Sequence, residues 1–590
     1  MFVSEEPFKG QVLGLNHDDW WKGAVVYQIY PRSFQDSNGD GYGDLEGIRS
    51  RLDYLQELGV DVLWLSPIYR SPQADNGYDI CDYQDIDPIF GTLEDFDNLI
   101  RDVHARGMKL IMDLVVNHSS DEHPWFIESR SSIDNPKRDW YYWRQARPDL
   151  HAGTPGAEPN NWESFFSGSA WEYDEITGEY YLHLFHKKQP DLNWENPDVR
   201  RAIYTMMNWW LDRGVDGFRM DVINFISKDP ALPDGQVLPK HHYGDGFPFY
   251  SEGPRLHEFL AEMHREVFDG RGGIENGRDV PMTVGETPGV RTDNIVLFTD
   301  ADRRELDMVF QFAHVDLGLE EGKFRARPLR PGELADSLDE WQQAQAERGW
   351  NSLYLNNHDQ PRAVSRFGDE SLRYESATAL ATVLHFLRGT PYIYQGEELG
   401  MTNSAFSSMD DFRDVESLRY YREAIKRGED EDSVLLGLRA MGRDNARTPV
   451  QWEADLPTAG FTTGMPWISV NPNCAQINAA DQINDPSSVY SYYRQLIRFR
   501  HHLPTVALGT YERLESDSAE VYAYRRAFAD SQVVVVANLS SVCVKPSIYL
   551  EDTAGLLQIL GNIGVAHQFD QILEPWEARV YVGRGDPSTV

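Results

Sequence analysis

Asp221, Glu286 and Asp359 each close an apolar, β-prone stretch: Gly217-Phe218-Arg219-Met220-Asp221, Val284-Gly285-Glu286 and Asn357-His358-Asp359. Two carboxyls backed by a third acid suit the cleavage of a glycosidic bond. In the retaining version the pair stands about 5–5.5 Å apart, one ionised to attack the anomeric carbon and one protonated to release the leaving oxygen. Arg219 lies two residues before Asp221, on the same face of a strand. Its charge is expected to hold Asp221 ionised. Glu286 has no cation beside it in the sequence and follows an apolar run, so it suits the acid role.

Acids so far apart in sequence need a fold that gathers them. Val25 to Tyr30 reads as a first strand, and Ile48, Leu52, Leu55 and Leu58 recur on one helical face. Val60 to Leu65 is a second strand. Thr92 with Asp95 resembles a capping box opening a helix. Lys109 to Val116, Asp216 to Ile223, Met282 to Gly285, Leu306 to Phe312, Ser352 to Leu355 and Tyr392 to Tyr394 supply six more strands. Eight strands alternating with helices predict a (β/α)8 barrel, whose strand ends carry the chemistry.

The rhythm breaks at a Trp-, Tyr-, Pro- and Asn-rich stretch after strand three, at a charged helical excursion from Ser404 to Ala446, and beyond Leu508, where apolar runs alternate as in an antiparallel β-domain. The expected organisation is barrel at 1–117, inserted domain at 118–190, barrel again at 191–507, and C-terminal β-domain at 508–590.

A net charge of −39 argues against nucleic acid and anionic membranes as partners and favours a neutral small molecule. Cys81, Cys474 and Cys543 form no disulfide framework. No signal-peptide pattern or membrane-length apolar stretch is present. The expectation is a soluble, cytoplasmic protein working as a monomer. Asp36-Ser37-Asn38-Gly39-Asp40-Gly41-Tyr42-Gly43-Asp44 spaces oxygen ligands two residues apart with glycines for tight turns, the logic of a calcium loop. It is not an EF-hand, because Gly47 occupies the place of the bidentate Glu.

The chain resembles the α-amylase-type glycoside hydrolases (family 13). Asp113 to His118, Gly217 to Asp221, Gly285-Glu286 and Asn357 to Asp359 correspond to that family's four strand-end regions. Gly59 to Pro67 and Gly389 to Glu398 match its second- and eighth-strand signatures. The resemblance implies Asp221 as nucleophile, Glu286 as acid/base and Asp359 as stabiliser. It also implies His118, Phe165, Arg219 and His358 as sugar contacts. The calcium loop would hold Ca2+, or Mg2+ as in some members, through Asp36, Asn38, Asp40, Asp44 and the Tyr42 carbonyl.

Gln189-Pro190-Asp191-Leu192-Asn193 resembles the oligo-1,6-glucosidase group. Asp75 and Tyr78 fit that group's subsite-closing pair, with Arg447 similar to the arginine that partners Asp75 and Arg443 as the alternative. A pocket closed this way implies exo action. Val222, following the nucleophile, accompanies α-1,6 preference in the resembling enzymes. Pro288 and the long segment from Phe225 to Tyr250 favour short substrates. Rival readings are a broader α-1,4 or sucrose specificity, or a sucrose isomerase, trehalose synthase or transglucosylase using the same site. Asp359-Gln360-Pro361-Arg362 looks like the hydrolases. A non-catalytic transporter partner would carry a span and lack the acids, which this chain keeps.

Overall fold

Residues 15–239, 242–320, 322–550, 555–564, 568–569 and 571–584 are described by a computed structural model. Eight strands line the barrel: β1 (Val26–Ile29), β2 (Val62–Leu65), β3 (Lys109–Val115), β4 (Gly217–Asp221), β5 (Met282–Glu286), β6 (Met308–Phe310), β7 (Ser352–Leu353) and β8 (Thr390–Tyr394). They lie in the order β6-β5-β4-β3-β2-β1-β8-β7, all paired in parallel. A parallel bridge between Val309 and Asn351 brings the two outer strands together. Strands β6 and β7 are shorter than the apolar runs predicted.

Intervening helices cover the strands and make them buried on both faces. The helix Leu93–Ala105 starts at the predicted capping box of Thr92 and Asp95, and turns Phe96, Leu99, Ile100 and Val103 inward. Pro197, with Asn196 as its cap, opens the helix Pro197–Asp212. The helical face of Ile48, Leu52, Leu55 and Leu58 is fully buried. It is split into Leu45–Ser50 and Leu52–Leu58 by a break at Arg51.

Register decides which side chains meet. Asp113 on β3 is level with Arg219 on β4, and Val115 with Asp221. Arg219 is in turn level with Val284 on β5. Gly217 starts β4 at φ 150°, where a Cβ would stand 2.0 Å from the Met282 carbonyl oxygen. The close approach of β4 and β5 therefore requires glycine there.

After β3 the chain forms a helix, Pro124–Ser131, and a three-stranded antiparallel sheet of Trp143–Arg144, Glu179–Leu182 and Trp171–Asp174. Tyr142, Trp162, Trp171, Tyr180 and Leu182 of this insert share one apolar cluster with Val222, Phe225, Leu232 and Tyr250. The insert and the segment after β4 thus pack as one body over the barrel mouth. The excursion after β8 folds into the helices Val415–Lys426, Glu431–Met441 and Asp444–Arg447. At the C-terminus β9 (Thr510–Leu514), β10 (Val521–Phe528), β11 (Ser531–Asn538), β12 (Leu557–Gly561) and β13 (Ala578–Arg584) form an antiparallel sheet, ordered β9-β10-β11-β13-β12. Buried Tyr524 and Arg526 tie it to the barrel by donating to the carbonyls of Val383 and Phe386.

Candidate active site

One guanidinium organises the mouth of the barrel. Arg219 is fully buried; its Nη1 donates to Asp113 Oδ1 at 2.8 Å and to Asp221 Oδ1 at 2.7 Å, and its Nη2 lies 2.8 Å from Glu286 Oε2. Glu286 therefore does have a cation beside it, contrary to the sequence reading. Strand neighbours across the sheet are invisible in a linear motif. The same Glu286 oxygen accepts the Val222 backbone N–H at 3.1 Å. Asp221 and Glu286 thus meet at one guanidinium, with Asp221 Oδ1 2.7 Å and Glu286 Oε2 2.8 Å from its two terminal nitrogens. Two carboxyls gathered on one guanidinium suit the short spacing of a retaining pair.

Two buried carboxyls that share one cation cannot both ionise as freely as a lone acid. Burial is the main force raising Glu286, to about 8; the charges of Asp221 and Asp359 add to it while Arg219 opposes it. Burial also raises Asp221, to about 6, with Arg219 pulling it down and Asp113 pushing it up. Near pH 7 the proton sits on Glu286 and the charge on Asp221. Burial, and not the lack of a cation, is what raises Glu286 above Asp221.

A second charged cluster walls the opposite side. Burial opposes ionisation of Asp359, and His358, Arg443 and Arg447 overcome it, holding the carboxyl well below the usual range. His358 is itself buried and pushed down to about 3. The fixed positive charges at neutral pH are thus the guanidiniums: Arg447 Nη2 at 2.6 Å and Arg443 Nη1 at 3.2 Å from Asp359 Oδ1. Arg443 Nη2 also reaches Asp75 Oδ1 at 3.4 Å. The partner of Asp75 is therefore Arg443 and not Arg447; the two arginines are one helical turn apart, and spacing alone did not separate them. Asp414 anchors both, taking Arg443 Nε at 2.9 Å and Arg447 Nη1 at 3.4 Å.

Tyr78 joins the two clusters. Its hydroxyl donates to Asp113 Oδ2 at 3.0 Å and lies 2.7 Å from His358 Nε2. Gln28 fixes the other ring nitrogen of His358 at 2.8 Å. Gln189 bridges Asp75 Oδ2 at 3.2 Å and His118 Nε2 at 3.2 Å, and His118 is pushed down to about 4 by burial. Phe165, on the insert, is 42% exposed and stacks on Phe185 and Phe225. The structure thus brings together all the predicted sugar-site residues. The residues missed as site members are Asp113, Asp414, Gln28 and Gln189. The first and last lay inside quoted motifs; Asp414 and Gln28 carried no local signal.

The metal loop stands apart. Asp36 Oδ1 accepts the N–H groups of Asn38 and Gly39, and Oδ2 accepts those of Gly41 and the Thr462 hydroxyl. Asn38 and Asp40 each accept the amide two residues on, and Asp44 accepts from Ser37. Oxygen is the donor set a hard cation wants. Among the described residues no three His, Cys, Asp or Glu side chains converge on one point. A cation here would therefore need the Asn38 amide and Tyr42 carbonyl oxygens beside the carboxylates.

Known proteins share this sequence family and fold. The family model "Alpha amylase, catalytic domain" matches residues 28–509. The oligo-1,6-glucosidase of Parageobacillus thermoglucosidasius is 56% identical over 569 residues, spanning 95% of this chain and 98% of its own. The crystal structure of the Bacillus licheniformis trehalose-6-phosphate hydrolase superposes with a TM-score of 0.88 at 45% identity, over 96% of this chain and 100% of that one. The trehalulose synthase of Pseudomonas mesoacidophila MX-45 gives 0.88 at 43% identity, over 95% and 99%. Barrel, insert and carboxyl pair together define a retaining enzyme of α-glucosidic bonds. The chain belongs to the α-amylase family of glycoside hydrolases, within its oligo-1,6-glucosidase and isomaltase-like group.

Proposed function

We propose that the protein is an exo-acting α-glucosidase that hydrolyses the non-reducing-end α-1,6 bond of short isomalto-oligosaccharides. Asp221 attacks the anomeric carbon while Glu286 gives its proton to the leaving glycosidic oxygen. The resulting glucosyl ester is opened by water, whose proton returns to Glu286, and configuration is retained. Asp359, held ionised by two guanidiniums, accepts hydrogen bonds from glucose hydroxyls. His118 and His358, both neutral, complete the ring of contacts.

The observation that carries exo action is the far wall, where Asp75 is clamped between Gln189 and Arg443 and Arg443 is clamped by Asp414. A wall built from paired charges closes the pocket beyond one glucosyl unit. The α-1,6 preference rests on Val222 beside the nucleophile and on similarity to several oligo-1,6-glucosidases. Initial rates on isomaltose, isomaltotriose, maltose, sucrose and trehalose test it: isomaltose should lead. Maltose exceeding isomaltose would move the linkage to α-1,4. Likeness to a trehalulose synthase keeps one alternative in view, transfer to sugar instead of water. Isomaltulose or trehalulose accumulating from sucrose would establish that alternative.

The same reading places the protein in the cytoplasm as a monomer; among the described residues no helix is long and apolar enough to cross a membrane. It also assigns Ca2+ a structural role in the loop Asp36 to Asp44. Calcium should raise the melting temperature and a chelator lower it, with Asp36→Ala abolishing the difference.

A further inference from the structure

Two parts of the chain that are far apart in sequence meet at the rim of the site. The insert carries a tight turn, Ser164 to Gly168, closed on itself by Ser164 N–H to the Gly168 carbonyl and Ser167 N–H to the Ser164 carbonyl, each at 2.9 Å. Opposite it stands the helix Val415–Lys426. That helix begins at the site: Asp414 caps it, and Glu416 Oε2 lies 3.4 Å from Arg443 Nε. One turn on, Arg419 Nη2 donates to the Ser167 carbonyl at 2.9 Å. The neighbouring Phe166 ring lies under the Arg443 guanidinium, 5.2 Å from its centre. The turn therefore touches both the helix and the arginine that holds Asp75 and Asp359.

Behind these contacts the packing is loose. A cavity of about 190 Å3 lies between the two parts, with Phe166 and Ser167 on one side and Glu416 and Tyr420 on the other. Over that volume the turn is not held by interior-like packing. Ser167 sits at φ 68° and Gly168 at φ 87°, so the carbonyl that Arg419 catches belongs to a residue in the left-handed region. A strained turn beside a void, held by a charge-assisted hydrogen bond, is built to let go and to close again. Inside the rim, Asp75 is 5% exposed and Asp221 and Glu286 are 7% each. A glucosyl unit touching all three is enclosed, so a moving rim would control its entry and release.

We propose that Arg419 is a positioning residue of the reaction: its bond to Ser167 latches the turn shut over a bound glucosyl unit, keeps Phe166 on Arg443, and breaks when sugar enters or leaves. This role rests on the one-glucose pocket proposed above. Arg419→Ala should raise KM for p-nitrophenyl α-glucoside about tenfold and leave kcat within about twofold, because the carboxyl pair is untouched. Arg419→Lys, which keeps a charged donor, should recover most of the loss. Hydrogen exchange separates a latch from a fixed wall. Saturating glucose should slow amide exchange at residues 165–168 in the parent and not in Arg419→Ala. Arg419→Gln, too short to span the gap, gives the same reading if the alanine variant folds poorly. A parental KM, or equal protection by glucose in parent and variant, overturns the latch. A parent that releases no glucose from the chromogenic substrate would instead overturn the exo-glucosidase reading.

Discussion

The acids around Arg219 and those around Arg443 and Arg447 face one pocket, yet they behave oppositely. In the first cluster Asp113, Asp221 and Glu286 share a single guanidinium, and burial raises all three, to about 6, 6 and 8. In the second, two guanidiniums serve Asp359 and Asp414 with Asp75 at the margin. Burial opposes ionisation there too, but Asp359 ends well below the usual range and Asp414 at about 2. Only Asp75, held by Arg443 at 3.4 Å, is pushed up by burial, to about 7. Burial is common to both clusters; the number of guanidiniums reaching each acid is not. Where acids outnumber guanidiniums a proton is retained and can be passed to a leaving group. Where two guanidiniums converge on the same carboxylates, as on Asp359 and Asp414, those acids stay charged and serve as a binding wall.

The strongest attack on this comparison removes an acid from the first cluster. Asp221→Asn should cut kcat on isomaltose by about 10^4-fold or more while the protein stays folded, because no other group can form the glucosyl ester. Residual activity near the parental value, measured with circular dichroism as control, would break the assignment. Arg219→Gln comes next, at about 10^2–10^3-fold in kcat, the scale of losing one charge-stabilising donor. The sign of its pH effect is fixed. Arg219 favours the ionised form of Asp221, so its removal raises that pKa and moves the acid limb of the rate profile upward. An unmoved limb would mean that the shared cation does not set the protonation.

The barrel was legible in the sequence because its strands are buried on both faces and read as near-continuous apolar runs; β2 and β3 fell within two residues of expectation. Asp221, Glu286 and Asp359 were legible because strand ends announce themselves. Contacts across strands were not. The pairing of Glu286 with Arg219 depends on register between β4 and β5, and no motif contains both residues. Asp414 was hidden for another reason: it looks like a helix cap, accepting from Ser417, and its second task on Arg443 exists only in three dimensions. Arg443 and Arg447 are interchangeable by spacing and were separated only by the direction their helix gives them.

Arg443→Ala attacks the second cluster. It frees Asp75 and half-strips Asp359, so KM for isomaltose should rise by roughly 10- to 100-fold, the range expected from charged hydrogen bonds worth ~1.5–3 kcal/mol. Because the proton-holding cluster is untouched, the pH profile should keep its limbs. A shifted basic limb would show that the two clusters are electrically one. The parent profile sharpens the same point. Below about 6 Asp221 takes up a proton and ceases to be a nucleophile; above about 8 Glu286 loses its proton and ceases to be an acid. The expected kcat/KM curve is a bell with its maximum near 7 and a tenfold fall for about each pH unit beyond either limb. A rate that climbs to pH 9 would remove Glu286 from the acid role.

The smallest expected effect belongs to Val222, which touches the first cluster through its backbone and, in the proposed reaction, would meet the leaving group through its side chain. Its φ of 35° lies in the left-handed region, strained for a β-branched residue, and its amide holds Glu286 Oε2. The side chain is buried in the apolar cluster that also holds Phe225 and Tyr250 of the segment after β4 and the insert's Tyr142 and Trp162. Val222→Thr keeps the branching, and with it the backbone and the bond to Glu286, but exchanges a methyl for a hydroxyl at the leaving-group side. The ratio of kcat/KM for maltose to that for isomaltose should therefore rise about tenfold, the low end of the ~1–3 kcal/mol that pocket-scale changes command. The bell should stay where it was. A moved bell with an unmoved ratio would assign Val222 to the acid rather than to linkage choice, and both unmoved would leave the residue with a packing role alone.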